Sequence, residues 1–254
     1  MLEKITEACR FLLHDFPGAE KVREYLDSRL TKESQEKFHF GYYPGWEEIS
    51  LLTDIVGEDI LLQHDLIYFR DIEDSLFPRS IPVSKFDKMP LVMPFRDVYG
   101  KVVGLVARTL LDDAGMKAAN IPKYKNTAGF KKGNYLFGLY ENKRSIVESG
   151  GVFVVEGQFD VIKANERGIK NIVGLGTNNM TPTQFCLLAR YTGNIFLLLD
   201  NDEGGERGRK TIRDKYGKMA SFHNFYLPLE YKDIDEYLTK EPDRDVESVC
   251  LAIK

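Results

Sequence analysis

The chain has 254 residues, 43% hydrophobic and 29% charged, with a formal net charge of −4; that is enough to bury a real core in one large domain or two small ones. No apolar run approaches the roughly 18–20 residues of a membrane helix, so a cytoplasmic protein is expected. The acidic balance excludes a uniformly basic nucleic-acid coat, though not a local basic patch. Three separated cysteines, Cys9, Cys186 and Cys250, form no C-x-x-C pair, which excludes a zinc ribbon within this sequence and suits a reducing compartment.

The N-terminal stretch MLEKITEACRFLLHDF carries Glu3, Glu7 and Asp15 and no small-residue cleavage site; it predicts an amphipathic helix, not a signal peptide. GYYPGW at 41–46 marks a turn. Short strands are predicted at 91–95 and 102–107, joined by a turn at Tyr99-Gly100. Residues 101–145 hold nine Lys or Arg against three acids, a net of +6. Such a block is either a solvated face or a wall for phosphates. The first half reads as mixed α+β, and a junction near 148–151 divides the chain into 1–147 and 148–254.

Beyond the junction the pattern is regular. The apolar run at 152–155 predicts a strand buried on both faces. A helix follows over 158–167 and ends at Gly168. A second strand spans 172–175. Thr181-Pro182-Thr183-Gln184 opens a helix, with Thr181 as N-cap and Gln184 completing a capping box. A third strand at 194–199, a polar helix at 203–215 and a strand at 222–227 complete the series. Strands alternating with helices predict a parallel α/β sheet, whose ligands bind at the carboxyl ends of the strands.

Two acids fall at that edge: Glu156 directly after one strand and Asp200 directly after another. Asp202 lies two residues beyond Asp200, Asp160 four beyond Glu156, and Asp233 and Asp235 repeat the D-x-D spacing. Two carboxylates about 4 Å apart repel by roughly 4 kcal/mol at an effective dielectric near 20. A cluster therefore needs raised pKa values or a bound cation. All the donors are oxygens, which selects Mg²⁺, Mn²⁺ or Ca²⁺ over zinc, and two Mg²⁺ ions suit in-line phosphoryl transfer. Taken singly, each acid has a plainer reading as a helix cap, and KDIDEYL at 232–238 also reads as an acidic helix start. No Walker A loop, complete dinucleotide fingerprint or G-x-S-x-G elbow occurs. His14, His39, His64 and His223 are scattered.

VVEGQFD (154–160), GLGT (174–177) and LLDNDEGG (198–205) together resemble a TOPRIM domain: Glu after one strand, D-x-D after a later one. KDIDEYL resembles the K-D-P-D-E-Y-L element of DnaG-type primases. Upstream, EYLDSRLTKESQEKFHFGYYPGW (24–46) resembles Y-L-x-x-R-G-L … F-x-I-G-Y-A-P. MPFRDVYGKVVGLVART (93–109) and PKYKNTAGFKKGNYLFGLY (122–140) resemble further primase segments, all in family order. The resemblance implies a TOPRIM domain, Rossmann-like with flanking helices, preceded by a mixed α+β primase subdomain. It is to a compact, phage- or mobile-element-like primase core without the zinc ribbon or helicase-binding domain.

The implied activity is metal-dependent synthesis of short RNA primers from NTPs on single-stranded DNA. The alternatives are a TOPRIM nuclease and a non-catalytic primase-like adaptor that binds nucleic acid. Carried over by position, Glu156, Asp200 and Asp202 are the central catalytic and metal residues, and Asp160, Asp233 and Asp235 complete a site for two or more Mg²⁺ or Mn²⁺ ions. Arg108, Lys123, Tyr124, Asn126 and Lys132 are the implied basic ridge for template and nucleotide. A replicative helicase and a separate zinc-ribbon protein are the implied partners.

Overall fold

The computed structural model describes residues 1–72 and 79–243; Cys250 lies outside them. The chain forms two compact units, one of residues 1–95 and 102–130, the other of residues 96–101 and 131 onward. Among the described residues no helix is long and apolar enough to cross a membrane.

In the first unit, α1 (Leu2–Asp15) buries Ile5, Ala8, Cys9, Leu12 and Leu13, the i, i+3, i+4, i+7 stripe of an amphipathic helix. Short helices α2 (Glu20–Asp27) and α3 (Lys32–Lys37) lead into β1 (Gly41–Tyr42). A Cβ at Gly41 would lie 2.6 Å from the Cβ of Cys9, so only glycine lets β1 lie this close to α1. Helices α4 (Ile49–Val56) and α5 (Glu58–Gln63) precede the antiparallel hairpin of β2 (Ile67–Ile72) and β3 (Arg79–Ser84). Strands β4 (Leu91–Arg96) and β5 (Val102–Arg108) match the expected pair closely. After α6 (Asp113–Ala119), β6 (Tyr124–Asn126) completes a sheet of order β1-β4-β5-β6.

The second unit begins its regular structure with α7 (Leu139–Ser149), followed by β7 (Val152–Val155), α8 (Gln158–Glu166) and β8 (Ile172–Gly174). Then come α9 (Pro182–Leu188), β9 (Asn194–Leu197), α10 (Glu203–Tyr216), β10 (Ser221–Asn224) and α11 (Ile234–Lys240). Thr181 and Gln184 form the expected capping box at α9. The four strands are parallel in the order β10-β9-β7-β8. Val152, Val154, Val173, Ile195, Leu197 and Ile212 are buried in its core.

The boundary between units falls after Phe130, earlier than the junction expected at 147/148. The reason is packing: α7 delivers Leu139 and Ile146 to the core of the parallel sheet, and Asn142 donates from its side chain to the Ile172 carbonyl at 2.9 Å. The tip of the β4–β5 hairpin also belongs to the second unit, through Arg96 paired with Glu141 at 3.1 Å and Lys143 donating to the Val98 carbonyl at 2.7 Å. A junction sought in Ser/Gly composition misses this, because α7 carries its apolar face on only a few residues.

Candidate active site

From β7 the chain passes to β8 on one side of the sheet, and β9 then pairs with β7 on the other. The order reverses between β7 and β9, and a crevice opens at such a reversal outside the carboxyl ends of the strands. Glu156 follows β7 and Asp200 closely follows β9, so the topology delivers both acids to that crevice. They touch: the backbone N–H of Asp200 donates to Glu156 Oε1 at 3.2 Å.

The local charges are crowded. Burial, and then the neighbouring Asp200, pushes the half-buried Glu156 carboxyl up to about 7. Asp200 is raised as well, by burial first and by Asp233 second. Lys232 Nζ stands 3.5 Å from Asp200 Oδ2. Partial burial works against its charge, but Asp200 beside it raises its pKa overall.

The remaining expected acids show what else they do. Asp202 caps α10, its Oδ1 accepting from the Gly205 N–H at 2.9 Å. Asp233 caps α11 in the same way, accepting from the Glu236 N–H at 2.8 Å. Each cap engages Oδ1, so a capping role and a place beside Asp200 are compatible. Asp160 differs. It is buried, with Oδ2 accepting from the Gly157 N–H at 2.8 Å and Oδ1 from the Asp235 N–H at 3.3 Å. Its carboxyl is pushed up to about 8 by burial and then by Asp233 and Asp200. This geometry lets Asp160 brace α8 against α11, and Asp235 meets it through its backbone.

Among the described residues, no three His, Cys, Asp or Glu side chains form a ready-made ion cage. The donor set nonetheless suits Mg²⁺, which is commonly held by one or two carboxylates together with waters and substrate phosphates. A pair of neighbouring acids with raised pKa values, partly neutralised by one lysine, is an all-oxygen site that gains from a divalent cation.

Three residues inside the LLDNDEGG and KDIDEYL stretches, Asn201, Lys232 and Gly205, take roles here that the sequence reading does not assign them. Asn201, the middle of D-x-D, donates through Nδ2 to the carbonyls of Tyr231 at 2.9 Å and Leu227 at 3.1 Å. Its backbone N–H donates to the Lys232 carbonyl at 2.7 Å. Asn201 thus ties the 227–232 loop down and brings Lys232 to Asp200. Gly205 is the third: its Cβ would lie 2.0 Å from the Asp200 carbonyl oxygen, so glycine alone lets α10 start this close to the D-x-D turn. We expect Gly205→Ala to cost about 1–3 kcal/mol by overpacking, read as a lower urea midpoint at unchanged slope; an unchanged midpoint would mean that α10 stands farther off.

The expected basic residues fall in both units. In the first, Arg108 and Tyr124 are cross-strand partners. The Arg108 guanidinium lies 4.9 Å from the Tyr25 ring centre and 5.5 Å from that of Tyr124, and Lys123 Nζ lies 5.8 Å from the Tyr124 ring. Arg29 joins the stack, donating to the Tyr25 hydroxyl at 3.1 Å. Tyr25 and Arg29 are additions to the expected ridge; their signal is the Y-L-x-x-R spacing. Asn126 pairs with Val106 in the same ladder. In the second unit, Lys132 is half-buried and donates to the Gly176 carbonyl at 2.6 Å. Burial lowers its pKa. Gly176 has φ +77° and would meet the Lys132 stem with any side chain.

Residues 12–143 match the family "DNA primase catalytic core, N-terminal domain", and residues 153–238 match "Toprim-like". The chain belongs to the DnaG-type primase catalytic-core family. It is 31% identical over 237 residues to the DNA primase of Aquifex aeolicus, covering 92% of this chain and 45% of that protein. Identity to the DNA primase of Synechococcus elongatus is also 31%, covering 90% of this chain and 33% of that one. The chain thus spans less than half the length of these curated relatives. Among solved primase structures, it is similar to the Escherichia coli primase catalytic core, with TM-score 0.78, 25% identity, and coverage of 100% of this chain and 79% of that one. The Aquifex aeolicus primase, solved as its zinc-binding and RNA polymerase domains, gives TM-score 0.77 and 27% identity, covering 99% of this chain and 59% of that one. The expected TOPRIM sheet, following a primase-core subdomain along the chain, is therefore the fold of this family.

Proposed function

We propose that the chain is the catalytic core of a DNA primase, joining NTPs into short RNA primers on a single-stranded DNA template. The observation that carries this reading is the meeting of Glu156 and Asp200 across β7 and β9 in a chain of the primase-core family. Glu156, Asp200 and Asp202 are the ligands of Mg²⁺ in this reading, with Asp233 adding negative charge and Asp160 holding α11 in place. When bound, Mg²⁺ would supply neutralising charge for the triphosphate and would lower the pKa of the primer 3′ hydroxyl. The 3′ oxygen, its proton passed to water, bonds to the α-phosphorus as the bond to the bridging oxygen breaks, and pyrophosphate leaves. Lys232 is placed to exchange Asp200 for a phosphate oxygen once the acids are neutralised.

Arg108 and Lys123, stacked with Tyr25 and Tyr124, grip phosphate and base without sequence readout in this proposal. A zinc-ribbon protein that selects the start site and a replicative helicase are the proposed partners. Extension of a short RNA annealed to single-stranded DNA, with labelled NTPs and Mg²⁺ or Mn²⁺, tests the activity without requiring start-site recognition. Template-dependent lengthening of the RNA is expected. Shortened DNA with no new RNA would replace the reading by the nuclease, and DNA binding indifferent to Asp200→Ala with neither product would replace it by the adaptor.

Lys123→Ala is expected to weaken single-stranded DNA binding and to lower the slope of log K against log salt by about 0.7, one phosphate contact. Lys132→Ala should do the same and also loosen the Gly176 loop. Salt slopes identical to that of the unsubstituted chain, measured by fluorescence anisotropy, would remove both lysines from the interface.

A further inference from the structure

Strand β9 leaves its ladder at Leu197, and the chain must then turn to present Asp200 and Asp202. The carbonyls along that turn need donors. Arg209, from the second turn of α10, supplies them. Its Nη2 donates to the Leu199 carbonyl at 2.5 Å and its Nη1 to the Asp200 carbonyl at 3.2 Å. These two carbonyls belong to the peptide groups on either side of the Asp200 α-carbon. Nη2 also reaches the Phe225 carbonyl just beyond β10, at 3.4 Å. The guanidinium lies 4.4 Å from the centre of the Tyr226 ring and pairs with Glu206 Oε1 at 2.8 Å. Only 1% of Arg209 is exposed.

The peptide between Leu199 and Asp200 is therefore gripped at both ends. Its oxygen accepts from Arg209, and its N–H donates to Glu156 Oε1. Rotating that peptide would move Asp200 and release Glu156 in one step. A planar fork holds both flanking carbonyls in a fixed geometry and lays its flat face on a ring; an ammonium has neither the fixed fork nor the flat face.

We infer that Arg209 is a positioning residue for the paired carboxylates, setting the orientation of the Leu199–Asp200 peptide and through it the separation of Glu156 and Asp200. This role rests on the metal-binding reading proposed above. Partners that orient metal ligands without touching the ion change metal affinity by about 10–100-fold when removed. Arg209→Met keeps most of the volume and removes every donor, so a Mn²⁺ dissociation constant raised about 10-fold or more is expected. Arg209→Lys should fall between.

The readout is the electron paramagnetic resonance signal of free Mn²⁺ titrated with protein, alongside circular dichroism and a melting curve. A merely structural arginine lowers the melting temperature and leaves the Mn²⁺ constant of the folded protein unmoved. That result in folded Arg209→Met overturns the inference while leaving the proposed function standing. Should Arg209→Met fail to fold, Arg209→Lys decides: a weakened constant supports the role, and an unchanged one overturns it. If the unsubstituted chain takes up no Mn²⁺, the metal reading itself fails, and the role of Arg209 falls with it.

Discussion

Replacing Asp200 and Asp202 together by asparagine should abolish both the Mg²⁺-dependent rise in melting temperature and nucleotidyl transfer. In the unsubstituted chain, Mg²⁺ at about 100 times its dissociation constant stabilises the folded state by about 2.7 kcal/mol, a shift of about 5–10 °C for a domain of this size. The double variant keeps its fold for identifiable reasons. An asparagine at 202 still offers Oδ1 to the Gly205 N–H, so α10 keeps its cap. Neutralising Asp200 removes the partner of Lys232, 3.5 Å away on a largely exposed lysine, a pair worth at most about 1 kcal/mol. It also relieves the repulsion between Asp200 and Glu156. Metal-free stability should therefore change little while the response to Mg²⁺ disappears. Primer extension should fall by two orders of magnitude or more, about 3 kcal/mol of lost transition-state stabilisation. A double variant with an intact Mg²⁺ shift would remove both residues from the metal site.

Stability of the metal-free protein is expected to decline as the pH rises from about 5 to 8. Glu156 is pushed from 4.5 up to about 7 by burial and then by Asp200. Between those values the folded state keeps a proton that the unfolded chain has released. The stabilisation is complete below pH 4.5 and is lost as the pH climbs through 7. Asp160, pushed up to about 8 by burial, Asp233 and Asp200, acts in the same direction. Glu156→Gln removes the Glu156 contribution and keeps an oxygen for the Asp200 N–H. At pH 8 this variant should be more stable than the unsubstituted chain by about 1–2 kcal/mol, after allowance for the solvent around a half-buried carboxylate. Saturating Mg²⁺ should flatten the decline of the unsubstituted chain and leave the variant unmoved. Superimposable pH profiles of the two metal-free proteins, measured by urea unfolding, would refute the assignment.

How much of this was legible in the sequence differs by region. From 152 to 199 the strands are short apolar runs and α9 has its own start signal at Thr181 and Gln184, so local chemistry marks these elements within a residue or two; β10, Ser221–Asn224, is polar and ends three residues short of the expected strand. Apart from α1 and the β4–β5 pair, the first half resists such reading because its elements are short. α3 spans six residues, Lys32–Lys37, too few for a helical period to declare itself, and β1 is two residues held by its contact with α1. Arg209 was equally illegible. An arginine in a polar helix reads as a solvated charge, and only the folded chain turns it inward against three carbonyls.

The order of residues alone determined that Glu156 and Asp200 would each follow a buried strand, since apolar runs and the acids that end them are local features. It did not determine that those strands are neighbours. A parallel connection can carry the next strand to either side of the last, and the sequence signals of β7, β8 and β9 are the same in both cases. Tertiary packing placed β8 and β9 on opposite flanks of β7, and that choice brings the Glu156 carboxylate against the backbone N–H of Asp200, 44 residues further along the chain.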